Sequence, residues 1–327
     1  MAQEIELKLS LPQAYQSHFT ALALLQGYAL EAPQLQVLQN RYFDTPDQQL
    51  NRHAVALRIR RNGDRYIQTL KTRGSSQGGL HQRQEWEWPV PGATLDFSVL
   101  PPQAFPDGVA FDTLAVAFNT DFERTCWMLD YPYQGQQASI ELVLDNGWVS
   151  TQDQRDPISE IELELKSGPT EALFELALTL AAELPLRISR ISKAEKGFRL
   201  LQPEQARRIP AAPVVVNRVV NRVENRFDLQ AAQQWLERIQ ALLESYAFIA
   251  DVERLSQAPA AFAGLGQQLA IADGVADDLL NRLTKQQQAL SLLLAEADPE
   301  VLLQQWLDDR SLGLCLLQTS QWLYQQR

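Results

Sequence analysis

Charged and apolar residues alternate at every second position in several parts of this chain, and this alternation constrains the fold more than any other sequence feature. The segment QEIELKLS, residues 3–10, places three charged residues at alternate positions: Glu4, Glu6 and Lys8. Because successive side chains of a strand point to opposite faces, the pattern predicts a β-strand with one charged and one apolar face. Alone, it is also typical of an edge strand that exposes its charges to water.

The same alternation recurs in later segments, with both signs of charge. Further strands are predicted at 35–42, 56–61, 65–72, 81–88, 122–129, 139–144 and 158–166. The basic residues on their charged faces are Arg58, Arg60, Lys71, Arg83 and Arg124. The acidic residues on those faces are Glu85, Glu87, Glu141, Asp145, Glu160, Glu162 and Glu164. So many alternating segments predict one antiparallel sheet with a charged face.

Two arrangements of such a sheet are compatible with the pattern. In an open sheet the charged face would meet water and would have no particular chemical meaning. In a closed barrel the charged faces would line the bore. The barrel explains better why Arg and Lys concentrate on some strands and Glu on others, since a solvated surface would mix them.

A bore lined in this way suits a polyphosphate held together with metal ions. Arg and Lys bind phosphate oxygens, Arg as a two-pronged donor and Lys as a point charge. Paired carboxylates hold hard divalent cations such as Mg²⁺, which bridge them to phosphate. Unpaired buried charges cost several kcal/mol each. Cationic and anionic side chains are therefore expected to alternate around a bound metal–polyphosphate ligand.

Composition narrows the possible partners. The net charge of −11, from 29 basic and 40 acidic residues, argues against a nucleic-acid-binding protein. No apolar run reaches the ~20 residues that span a bilayer, and the chain opens on a charged strand rather than a secretory signal. Two distant cysteines and three histidines without ligand spacing argue against disulfides and zinc. We expect a cytoplasmic protein.

The chain is long enough for about two domains at ~150 residues each. Helices are predicted from Pro12 to Gln26 and from Thr170 to Glu183 in the first domain, residues 1–202. Residues 203–213 are proline-rich and predict a linker. Beyond them apolar residues recur at helical spacing after Asp228, near 279–295 and near 312–325, so residues 214–327 are predicted to form a helical bundle. The fold class is α+β with an additional all-α domain.

Six short motifs occur in one order and together resemble the CYTH family, the triphosphate tunnel metalloenzymes. They are EIELK at 4–8, YFDTP at 42–46, LRIR at 57–60, TLK at 69–71, EIELEL at 160–165 and SKAEKGF at 192–198. The resemblance covers roughly residues 2–201 and is closest to bacterial inorganic triphosphatases, in which a helical domain follows. It implies a closed, eight-stranded antiparallel β-barrel with flanking helices, whose tunnel binds triphosphate.

The resemblance also implies roles for individual residues. Residues expected in catalysis are Glu4, Glu6, Lys8, Lys71 and Glu85. Residues expected to bind phosphate are Lys8, Arg58, Arg60, Lys71, Arg83, Arg124 and Lys193. Residues expected to hold Mg²⁺ or Mn²⁺ are Glu4, Glu6, Glu141, Asp145, Glu160 and Glu162. The implied reaction is metal-dependent hydrolysis of inorganic triphosphate to pyrophosphate and orthophosphate.

Three alternatives stay open at this stage. One is a thiamine triphosphatase or a class IV adenylate cyclase of the same fold. Another is a polyphosphate-binding module without activity, although a pure anion binder has no need for so many carboxylates. The third is a structural protein with an open charged sheet. Neither the divalent metal nor the oligomeric state is specified by the sequence.

The helical half resembles a shortened polyphosphate-binding histidine domain only weakly, because no histidine follows His81. Arg218, Arg222 and Arg226 are spaced to form one stripe if that segment is helical. The stripe fits a polyphosphate contact, a solvated helix face or an interdomain contact.

Overall fold

The computed structural model describes residues 2–72, 74–77, 80–106, 108–213 and 227–327. Within these ranges, the side chains of residues 2, 3, 75–77, 82 and 83 are not described. The predicted arginine stripe at 218, 222 and 226 and the side chain of Arg83 therefore lie outside the described residues. The chain divides into two compact units, the first comprising 1–76, 80–173 and 191–205, the second 77–79, 174–190 and 206–327.

The first unit is built on a curled antiparallel sheet. Its strands are β1 (Ala2–Ser10), β2 (Gln34–Asp44), β3 (Ala56–Asn62), β4 (Arg65–Lys71), β5 (Ser75–Gln77), β6 (Leu80–Val90), β7 (Ala115–Tyr133), β8 (Gln136–Ser150) and β9 (Arg155–Ser167). Along the sheet they follow the order β1-β9-β8-β7-β2-β3-β4-β6-β5. All the strands of the predicted sheet are therefore present in one sheet.

Strand β1 pairs on both of its sides. Leu7 lies opposite Leu163 of β9 on one side and opposite Leu80 of β6 on the other. Strand β1 therefore has β9 as one hydrogen-bonded neighbour and β6 as the other.

Both faces of the central strands are buried, in agreement with the period-2 pattern. Leu7 and Ile161, on the apolar face, have no exposed surface. On the charged face Glu6, Lys8 and Glu160 are only 4%, 3% and 2% exposed. The alternative of a charged face open to water is therefore wrong for these residues, and their charges need partners inside the protein.

The two longest strands extend beyond their predicted bounds. Strand β7 begins before 122 and ends after 129, and β8 extends on both sides of 139–144. They are joined by a tight turn in which Gln134 and Gly135 both have positive φ, 47° and 78°. This geometry is that of a two-residue hairpin loop, and its twist matches the strands it joins.

The predicted helix from Pro12 to Gln26 is wrong as a single element. Two short helices occupy this segment, α1 (Gln16–Thr20) and α2 (Ala23–Tyr28). The break falls at Leu22, whose backbone is extended with ψ of 127°. Phe19 of α1 packs edge-on against Trp127, with ring centroids 5.6 Å apart.

The short helix α3 (Gln49–Arg52) follows the YFDTP motif. The carboxylate of Asp44 accepts hydrogen bonds from the backbone N–H groups of Thr45, Leu50 and Asn51 at 2.8 to 2.9 Å. The motif thus folds the chain back after β2 and positions Leu50, which packs in an apolar cluster with Leu57 of β3.

Helix α5 (Lys193–Leu201) begins at Ser192, whose side chain accepts the backbone N–H of Glu195. It contacts β7, β8 and β9. Phe198 packs edge-on against Phe118 at 5.0 Å, and Phe118 stacks on Tyr42 at 4.8 Å. These three rings fix α5 against the sheet, and Lys193 lies in the first turn of that helix.

The second unit is helical around its own apolar core. Most of helix α4 (Glu171–Glu183) belongs to it, with the short strand β10 (Arg187–Ile188). The later helices are α6 (Leu229–Ile249), α7 (Val252–Leu255), α8 (Ala258–Ala270), α9 (Asp277–Leu293), α10 (Glu300–Leu307) and α11 (Arg310–Gln325). Asp228 caps α6 by accepting the N–H of Ala231. Within the described part of the chain, no helix combines the length and the apolar character that a bilayer-spanning segment requires.

We predict that Gly197→Ala destabilises the first unit. A Cβ at this position would overlap the ring of Phe118, and overpacking of this kind costs about 1–3 kcal/mol. Thermal unfolding followed by circular dichroism should show a lower melting temperature. Gly92→Ala is the matched control, because its Cβ would meet no atom within 4 Å; equal melting temperatures for the two variants would contradict the packing assigned to α5.

Candidate functional site

The charged side chains of the inner face converge in an interior charge cluster of three cations and three carboxylates. Its members are Lys8, Arg124, Lys193, Asp145, Glu160 and Glu162. The Lys8 ammonium lies 2.6 Å from Glu162 and 3.3 Å from Glu160. The formal charges of the six groups balance, so the cluster can be buried without an unpaired charge.

Arg124 binds two carboxylates of the cluster at once. Its Nε donates to Oδ1 of Asp145 at 2.8 Å and its terminal nitrogen NH2 donates to Oδ2 at 2.7 Å. The same NH2 lies 2.7 Å from Glu162. This two-pronged arrangement is the strongest geometry available to a guanidinium and a carboxylate.

Strand register explains why these side chains meet. Lys8 lies directly opposite Glu162 on β9, and Asp145 lies opposite Arg124 on one side and Glu160 on the other. The sixth member comes from outside the sheet, because Lys193 belongs to the first turn of α5. Its ammonium lies 2.6 Å from Asp145 and 3.1 Å from Glu162, and 4.9 Å from the ring centre of Phe122.

The cluster stabilises the charged forms of its members. Burial alone would raise the pKa of Glu162, but Lys193, Lys8 and Arg124 hold it well below its usual value. Burial would likewise raise the pKa of Asp145, which Arg124 and Lys193 lower instead. Against the opposite effect of burial, the carboxylates raise the pKa values of Arg124 and Lys193.

A second group of charges surrounds Lys71. Its ammonium lies 2.8 Å from Glu85 and 3.3 Å from Glu4. Arg58 lies 3.7 Å from the other oxygen of Glu85 and 3.4 Å from the hydroxyl of Tyr42. Burial would raise the pKa of Tyr42, but Arg58, Arg60 and Lys71 together hold it below its usual value.

Arg60 is held differently from the other predicted phosphate ligands. Its Nε donates to the side-chain oxygen of Asn40 at 2.9 Å. Burial, together with repulsion from Arg58 and Arg124, lowers the pKa of Arg60 to about 9. The guanidinium therefore stays charged at neutral pH, although its surroundings do not favour the charge.

Three of the six predicted metal ligands come together. Asp145, Glu160 and Glu162 each offer one carboxylate oxygen, and these oxygens lie within 4.8 Å of one another. Glu4 belongs to the group around Lys71. Glu141 lies 3.4 Å from Lys166, which is also 2.8 Å from Glu164. Glu6 is buried on the inner face of β1.

Uncharged polar side chains of the inner face were missed by the sequence analysis. Asn40 and Tyr42 contact Arg60 and Arg58, and the fully buried Thr69 donates to Glu87 at 3.2 Å. Thr69 shares the strand parity of Lys71, which was the available signal for it. Strand β2 carries no predicted charged residue, so only its register with β3 places Asn40 and Tyr42 opposite Arg60 and Arg58.

Comparison with known proteins identifies the first unit. Residues 2–198 match the family described as "CYTH domain". An inorganic triphosphatase from Haemophilus influenzae is 36% identical over 201 residues, which are 61% of this chain and 55% of that protein. This chain thus aligns with about half the length of that relative.

Solved structures add weaker likenesses. A Hippeastrum protein described as revealing a dominant triphosphatase activity is 20% identical, covers 58% of this chain and 93% of its own, and has a TM-score of 0.42. A protein from Pyrococcus horikoshii is 16% identical, covers 61% and 99%, and has a TM-score of 0.38.

We predict that Arg124→Gln destabilises the protein by about 3 kcal/mol, because it leaves buried carboxylates short of a partner. Denaturant unfolding should show the loss, and the added change Asp145→Asn should restore part of it. Arg52→Gln is the control, since its ion pair with Asp47 is exposed and such pairs contribute little. A loss at Arg124 no larger than that at Arg52 would contradict the role of the cluster.

Proposed function

The chain belongs to the CYTH family, and we propose that it hydrolyses inorganic triphosphate to pyrophosphate and orthophosphate with a divalent metal ion. One observation carries the proposal: cations suited to phosphate and carboxylates suited to a metal interleave on the inner face of a single curled sheet. The name of the Haemophilus influenzae relative gives further support. In this proposal the two-sided pairing of β1 closes eight strands into the tunnel that holds the substrate.

The carboxylates fit a divalent metal ion. Asp145, Glu160 and Glu162 offer hard oxygen donors close enough to share one ion, and such donors suit Mg²⁺ and Mn²⁺. Glu4, Glu6 and Glu141 are proposed as additional ligands. A divalent cation bound there would neutralise charge on phosphate oxygens and lower the pKa of a bound water.

The cations are proposed to bind and orient the triphosphate. Lys8, Arg124 and Lys193 hold carboxylates here, and each has N–H groups that can turn to phosphate oxygens. Arg58, Arg60 and Lys71 form a second region of positive charge, to which we add Arg83 as a proposed ligand. Phosphoryl transfer is catalysed mainly by positioning and by stabilising the charge on the transferred and leaving groups. We propose that Glu85, beside Lys71, helps to position the attacking water.

The domain boundaries are part of the same proposal. We propose a catalytic domain at 1–202, a linker at 203–213 and a helical domain at 214–327, within a cytoplasmic protein that binds no nucleic acid or membrane. The compact units differ from these bounds, because residues 77–79 and 174–190 group with the helical unit and the boundary between the units falls between 205 and 206, inside the proposed linker. The helical domain has no assigned role in the reaction.

A substrate panel tests the proposed function. We expect the full chain to release orthophosphate from inorganic triphosphate faster than from thiamine triphosphate, ATP or long-chain polyphosphate. Mg²⁺ or Mn²⁺ should support the activity and EDTA should abolish it. Faster turnover of thiamine triphosphate or conversion of ATP to a cyclic nucleotide would instead favour another enzyme of the family. Binding of polyphosphate without hydrolysis would favour a binding module.

A pair of variants tests the carboxylates separately. We expect Glu160→Gln to lower kcat by about a hundredfold or more. Mutating residues that only hydrogen-bond to metal ligands already lowers metal affinity or activity by about 10–100-fold. Glu160→Gln should also weaken Mn²⁺ binding measured by calorimetry. Glu123→Gln is the control, because Glu123 is exposed on the opposite face of β7. Unchanged metal binding in Glu160→Gln would contradict the assignment of this residue.

A further inference from the structure

An uncharged side chain, Asn40, holds one of the cations of the inner face. Asn40 is 1% exposed. Its side-chain oxygen accepts from Nε of Arg60 at 2.9 Å, and its amide nitrogen donates to the backbone oxygen of Thr120 at 2.9 Å. Both ends of the amide are therefore used, so its orientation is fixed.

Cross-strand register produces this arrangement. Asn40 lies directly opposite Arg60 of β3 on one side and opposite Thr120 of β7 on the other. Because a guanidinium is planar and rigid, fixing its Nε also fixes the directions of its remaining N–H groups. Asn40 is thus held by β7 and in turn fixes the orientation of Arg60.

The partner of Arg60 differs from those of the other cations. Lys8, Lys71, Arg124 and Lys193 all form salt bridges with carboxylates, and Arg58 lies 3.7 Å from Glu85. Among the described residues, none forms a salt bridge with Arg60. An amide accepts the hydrogen bond of Arg60 and leaves its positive charge uncompensated. A carboxylate at position 40 would accept the same hydrogen bond and also neutralise the charge.

We propose that Asn40 is a positioning residue: it orients Arg60 through a neutral hydrogen bond and leaves the full guanidinium charge for a phosphate group of the substrate. The inference rests on the proposed function and deepens it. An acidic residue here would compete with phosphate for Arg60. A small apolar residue would release the guanidinium from its fixed direction.

The first test is Asn40→Asp, which keeps the shape and the acceptor but adds a negative charge. We expect KM for inorganic triphosphate to rise about tenfold, with a smaller change in kcat. A tenfold rise corresponds to the loss of roughly one charge-assisted hydrogen bond to the substrate. Triphosphate binding measured by calorimetry in EDTA should weaken to a similar degree. A purely structural role would lower the melting temperature and leave KM and the binding constant unchanged.

Gln68→Glu is the matched control. Gln68 is a fully buried amide in the same sheet, and it exchanges two hydrogen bonds of 2.8 Å with the backbone of Asp96. It lies on the outer parity of β4, so the same chemical change there should affect stability alone. An equal rise in KM in both variants would overturn the proposal.

A double-mutant cycle covers the case in which Asn40→Asp does not fold. Asn40→Ser is neutral and too short to reach Arg60, and it should also raise KM. In the Arg60→Gln background the same change should have little further effect, because the residue through which Asn40 acts is gone. Full additivity of the two changes would overturn the proposal.

The outcomes separate this inference from the proposed function. If the wild-type protein binds triphosphate in EDTA but does not hydrolyse it, and Asn40→Asp weakens that binding, the proposed function fails and the inference holds. If the wild-type protein is an active triphosphatase and Asn40→Asp leaves KM and binding unchanged, the inference fails alone. If the wild-type protein neither binds nor hydrolyses triphosphate, both fail.

Discussion

The first unit depends on a balance of opposite charges inside a curled sheet. Asp145 and Glu160 are buried and the side chain of Glu162 is only 12% exposed, and each contacts at least two of the cations around it. A carboxylate without such partners would cost several kcal/mol in this environment. Strand parity, register and the seating of α5 all contribute, because each determines which charges meet.

Parity is the part of this arrangement that could be predicted from the sequence. A strand has an exact two-residue period, so EIELK and EIELEL fix which residues share a face before any partner strand is known. The resemblance supplied Lys193, which no periodic pattern would have placed beside Glu160. The alternation therefore predicts correctly which residues share a face of the sheet. Which of them contact each other depends on the register between strands, which the alternation does not determine.

Other features could not be predicted, for identifiable physical reasons. The break at Leu22 interrupts an apolar pattern that is compatible with one continuous helix, and only packing in three dimensions decides between the two. Asn40 and Tyr42 carry no charge, so nothing in composition separates them from ordinary buried polar residues. The full length of β7 was underestimated because Asp121 and Pro132 are poor strand formers that the long pairing with β8 overrides.

The pairing of Lys8 with Glu162 joins residues that are 154 positions apart. Contacts of such long separation slow folding, because the chain must lose much of its freedom before they form. During synthesis on the ribosome β1 emerges well before its neighbour β9 and before the ammonium of Lys193. In the nascent chain Lys8 therefore stays hydrated until most of the first unit has left the exit tunnel, whereas Lys71, the partner of Glu4, emerges much earlier.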